Sequence, residues 1–63
     1  MDSIAAFDEL VAEIQSQGYD ESAAARFASL IGDTPVIDQD GRIIVMDEGR
    51  EVARLRPLHF FGQ

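Results

Sequence analysis

The sequence predicts an α+β fold: an N-terminal αα-hairpin packed on a two- or three-stranded antiparallel β-meander. Three observations carry this. Apolar residues recur at helical spacing within about 3–17 and 21–31. β-Branched and apolar runs follow at about 35–38, 42–46 and 50–56, divided by Asp38-Gln39-Asp40-Gly41 and Asp47-Glu48-Gly49. The chain has 63 residues and no cysteine, which describes one small domain without disulfides or thiolate metal sites.

The first helix is read from Ile4, Phe7, Val11 and Ile14, a 3-4-3 stripe with Leu10 beside it. Asp2 or Ser3 caps its start, and Asp2, Glu9 and Glu13 fall on the opposite face. Gly18 ends it at C′, with Tyr19 and Ile14 as the touching pair of a Schellman motif. Asp20 caps the second helix, whose apolar face is Ala23, Ala24, Phe27, Leu30 and Ile31. Gly32 and Pro35 stop it. The short link Gly18-Tyr19-Asp20 makes the two helices antiparallel neighbours. DNA reading by this pair is disfavoured, because Arg26 is its only cation.

In the hairpin, a three-residue loop Asp47-Glu48-Gly49 is expected, with Gly49 left-handed in a type I turn plus bulge. That register pairs Met46 with Arg50, Ile44 with Val52 and Arg42 with Arg54. Ile43, Val45, Ala53 and Leu55 then share one face, with Glu51 its only charge. Arg42, Arg50, Arg54 and Arg56 share the other, among Ile44, Met46 and Val52. A two-residue loop, Glu48-Gly49, would instead put Arg42 on the face opposite the other three. Directly opposed arginines repel, so carboxylates are expected over Arg42 and Arg54. These belong to the chain itself or to a second copy, or else an external acidic surface or a phosphate backbone takes their place. After Pro57 the apolar tail 58–61 is expected to fold back onto the core or complete a dimer seam. Its Phe60 and Phe61 would otherwise anchor a partner.

Charge is divided unevenly. Residues 1–40 hold nine acids and one base, and residues 41–63 hold four arginines and three acids, within a net charge of −7. Lysine is absent, which reads as nucleotide bias of a GC-rich genome ahead of a halophilic source. So acidic a chain suits a basic protein partner rather than general nucleic-acid binding. The longest apolar run, Ile43–Met46, is far below the roughly 20 residues of a membrane span. The acidic start Met1-Asp2-Ser3 does not fit a secretory signal, so a cytoplasmic location is the expectation. His59 is the only imidazole, and the Asp38–Gly41 turn lacks the downstream glutamate of a calcium loop. No catalytic residues, metal or other cofactors are expected, and the chain is not read as an enzyme.

The segment 42–58 resembles the hairpin that ends the N-terminal domain of Phd/YefM-type antitoxins, a strand, a turn and G-(R/K)-x-V-A-x-L-x-P. Gly49, Arg50, Val52, Ala53, Leu55 and Pro57 match it. The resemblance implies a dimerising α/β domain of a toxin–antitoxin pair. The functional expectation is therefore a small acidic regulator, antitoxin-like or inhibitor-like, that binds and neutralises a partner protein and forms a homodimer. Asp2, Glu9 and Glu13 are its acidic contacts, and Arg42, Arg50, Arg54 and Arg56 its partner or dimer contacts. Two alternatives stand beside it. One is a phage-encoded anti-CRISPR-type inhibitor whose acidic half blocks a basic nucleic-acid-binding surface. The other is nucleic-acid binding through the arginine face. A structural subunit of a larger assembly is a third reading.

Overall fold

The computed structural model describes residues 3–32 and 35–61. Two helices and a three-stranded antiparallel sheet form an α+β arrangement. Helix α1 is Ser3–Gln15 and α2 is Glu21–Ile31; strands β1 (Val36–Ile37), β2 (Ile43–Asp47) and β3 (Arg50–Leu55) follow in the order β1-β2-β3. A 3-10 turn, His59–Phe61, completes the described chain. Asp2 and the Ile4 side chain lie outside the described part.

Local chemistry sets the helix ends. Asp20 accepts the Ala23 N–H at 2.8 Å, as an N-cap aspartate does. α1 stops two residues earlier than its spacing suggests, and only half of a Schellman motif forms. Gly18, at φ +111°, donates its N–H to the Gln15 carbonyl. The Ile14 carbonyl is taken by Gln17 instead of Tyr19, so the last turn tightens. Tyr19 swings onto the second helix and meets Phe27 edge-on, centroids 5.3 Å apart.

The hairpin corrects the expected register. Asp47 pairs with Arg50, leaving the two-residue turn Glu48-Gly49. Both turn residues have positive φ, 53° and 81°, the signature of a type I′ turn, whose twist matches the strands. A two-residue turn alone would send Leu55 outward. Val52 prevents this: it pairs with nothing, forms a bulge, and lets Val45 meet Ala53 and Ile43 meet Leu55. The expected inner face, Ile43, Val45, Ala53 and Leu55, therefore survives a register displaced by two. Glu51 leaves it, because it now opposes Met46. Arg54 opposes Ile44, so the expected Arg42–Arg54 clash does not exist.

The helices cover the inner face. Ile14, Ile43, Val45 and Leu55 are fully buried, joined by Leu10, Ala24, Phe27, Ala28, Ile31 and Leu58. Each large aliphatic group among them contributes about 1.5–3 kcal/mol by leaving water. Leu58 shows that the tail does fold back, with Phe61 partly buried against the same cluster.

The two edges of the sheet differ. The Asp38 N–H donates to the Arg42 carbonyl, so Asp38 and, by alternation, Val36 direct their peptide groups at β2. Ile37 directs its own at the open side of β1. On the far side, Arg54 and Arg56 direct theirs away from β2. There the Gln17 side chain acts as a substitute strand: its amide donates to the Arg56 carbonyl at 3.0 Å and accepts the Arg56 N–H at 2.9 Å. With the Val52 bulge, this clasp blunts the β3 edge.

Candidate functional site: the charged surfaces and their clefts

The arginines do not form one face. Arg50 lies opposite Asp47, whose carboxylate turns toward α2 and takes the Arg26 guanidinium at 2.7 Å. Arg50 therefore parts from the outer side of the sheet, which alternation leaves to Arg42, Arg54 and Arg56. Arg54 is held twice. Glu51 grips it bidentately, Nε to Oε2 at 3.0 Å and Nη2 to Oε1 at 2.8 Å, and Asp38 takes Nη1 at 3.0 Å. The chain itself thus supplies the carboxylates for Arg54.

Asp38 organises the site. One oxygen accepts the backbone N–H groups of Asp40 (2.8 Å) and Arg42 (2.9 Å), closing the β1–β2 turn, while the other reaches Arg54. Gly41, at φ +85°, lets that turn close without a Cβ penalty. The Arg42 N–H, more than the Arg54 charge, holds the Asp38 carboxyl below its ordinary value, partly against desolvation. Glu51 is lowered chiefly by its hydrogen bonds to Arg54, whose own value Glu51 raises in turn.

Of the three acids expected on one helix face, Glu9 and Glu13 differ in exposure and in role. Glu9 is exposed, as expected. Glu13 is half-buried and accepts the backbone N–H groups of His59 and of Phe60, the latter at 3.0 Å. It caps the terminal 3-10 turn, so its role is to fasten the tail. Asp2 lies outside the described residues. Asp8, exposed beside Glu9, was not among the expected contacts, although its offset from the Leu10–Ile14 stripe marks it as outward. Glu21, Asp40 and Glu48 are exposed too. No ion pair links Asp8, Glu9, Glu21, Asp40 or Glu48 to a base among the described residues.

Two open clefts flank the tail. One, of about 300 Å³, lies between the helices and is lined by Ala6, Phe7, Leu10, Ala28 and Phe60, with Ser29 at its side. The other, of about 420 Å³, lies beside β1 and is lined by Ile37, Ile43, Pro57, Leu58, His59 and Phe61. Phe60 and Phe61 meet edge-on at 5.1 Å, one facing each cleft. Neither cleft brings a nucleophile together with a base. Among the described residues, no helix is long and apolar enough to cross a membrane.

Comparison of the chain with family models, with curated proteins and with solved structures gives no match.

Proposed function

We propose that this chain is a small acidic protein-binding regulator, antitoxin-like or inhibitor-like, that acts in the cytoplasm by occupying a basic surface of a partner protein. One observation carries the reading. The paired arginines are neutralised by acids of the sheet half, Asp38, Asp47 and Glu51, while Asp8 and Glu9 of α1 and Glu21 of α2 stand exposed with no ion pair to a base among the described residues. The negative charge thus concentrates on the helical side, where it steers a basic partner. Nucleic-acid binding through the sheet loses its central cation, because Arg54 is already held by two carboxylates.

The test is capture from a lysate of the source cell by immobilised wild-type protein and by the double variant Asp8→Lys/Glu9→Lys. The expected result is a captured protein that resists nuclease, elutes as salt rises past about 0.15 M, where screening shortens to ~8 Å, and is missing with the variant. Equal capture by both forms, or a catch that nuclease removes, refutes the proposal.

A further inference from the structure

We infer that the open edge of β1 is a strand-addition site that takes an extended aliphatic segment of a partner protein flanked by basic residues. The inference rests on the reading that the chain binds a partner protein, and it assigns a second contact distinct from the acidic face of α1.

Four observations converge on this edge. Ile37 directs its peptide N–H and carbonyl away from β2, as the Asp38–Arg42 hydrogen bond requires. Pro35, which has no N–H, precedes the strand. Val36 and Ile37 are the most exposed large apolar residues described, at 51% and 50%. They stand on opposite faces of one strand, since Val36 pairs with Ile44 and Ile37 with the buried Ile43. Finally, the cleft of about 420 Å³ opens beside Ile37, with Ile43, Leu58 and Phe61 as its apolar wall.

Strand addition uses these parts together: main-chain bonds supply adhesion, and side chains of alternate residues enter pockets on the two faces. A segment laid along β1 bonds the N–H and carbonyl of Ile37. One of its side chains enters the cleft, and the next covers Val36 and Ile44. The β3 edge makes the contrast, because Gln17 and the bulge occupy it. Charge selects the flanks. The chain carries −7, and Asp40, exposed in the turn that follows β1, makes no ion pair among the described residues, although its charge is felt by Arg54. A cation next to the added strand meets it, whereas an acidic segment is repelled.

The probe is the blocked peptide Lys-Val-Thr-Val-Thr-Val-Lys, titrated into labelled wild-type protein and followed by NMR. The expected Kd is about 0.1–1 mM, in keeping with few main-chain bonds and one small cleft. The Ile37 amide should shift and gain protection from exchange, and the Leu58 and Phe61 side-chain signals should shift with it. Peptide N-methylated at alternate amides, or carrying glutamate for lysine, should bind at least about tenfold more weakly. Ile37→Ser should weaken binding about tenfold, whereas Val52→Ser on the other edge should leave it unchanged; both positions are exposed, so the fold is retained. Shifts confined to the helices or to β3, equal binding of the N-methylated peptide, or no binding at millimolar concentration overturns the inference. Wild-type shifts alone decide the matter if Ile37→Ser unfolds. Loss of lysate capture with Asp8→Lys/Glu9→Lys but no strand addition sinks this inference and spares the proposed function; the converse result does the opposite.

Discussion

Replacing Glu13 by alanine probes how the tail is held. Its carboxylate accepts the N–H groups of His59 and Phe60, and its side chain is half-buried between α1 and the 3-10 turn. Water takes over part of both bonds when the acceptor is removed, so the net loss is about 0.5–1.5 kcal/mol per bond. Capping substitutions of the same kind cost about 1 kcal/mol. Together these give about 1–2 kcal/mol for Glu13→Ala. A 63-residue domain holds about 3–9 kcal/mol in all, at roughly 0.05–0.15 kcal/mol per residue. The melting point should therefore fall by about 4–8 °C for each kcal/mol lost. The decisive assay is amide exchange. His59 and Phe60 should exchange much faster in the variant, and Phe61, which donates to the Leu58 carbonyl, should follow. The amides of α2 should change only as global stability does. Unchanged protection at His59 and Phe60 would refute the view that Glu13 fastens the tail.

Three further outcomes are expected. Ile14→Ala, at a fully buried position, should cost about 2–5 kcal/mol and lower the melting point by circular dichroism far more than Ile14→Val, which should cost about 0.5–1.5 kcal/mol. Stability should decline in acid, because Asp38 and Glu51 sit below ordinary values of 3.8 and 4.5: their contribution is complete above those values and is lost as pH falls through the lower folded ones. In Arg54→Gln this acid limb should flatten at the Glu51 step yet keep part of the Asp38 step, since the Arg42 N–H remains; an unaltered pH profile of urea midpoints would contradict this. Glu48→Asn, at φ 53° in the type I′ turn, should raise stability by about 0.5–1 kcal/mol because asparagine tolerates the left-handed region better, and a lower melting point would count against the turn assignment.

What the sequence revealed, and what it hid, follows from the range of the interactions. Asp20, the Leu10–Ile14 stripe and Gly32 act over one helical turn, and periodicity found them. The inner face Ile43, Val45, Ala53 and Leu55 was legible because alternation fixes parity. The pairing of those residues was not, because a two-residue turn and a bulge displace the register by an even step and leave parity intact. Glu13 illustrates the opposite limit. Its place on the helix reads as solvent-facing, but its partners lie 46 and 47 residues away, beyond any local pattern. One of the two partners of Arg54 was hidden for a related reason. Asp38, just past the end of β1, reaches it across β2, so that half of the network became visible only with the strand order.

The bulge at Val52 also bears on how this chain tolerates changes in length. Because Val52 pairs with nothing, the hairpin amounts to a regular two-residue hairpin with one residue inserted in its second strand. Deleting that residue shortens β3 without moving any neighbour to a new partner or face. Deleting Ala53 or Arg54 instead leaves the sheet able to keep its inward aliphatics only by consuming the same spare position. One gap anywhere between Glu51 and Leu55 is therefore absorbed, and a second would turn Leu55 to water.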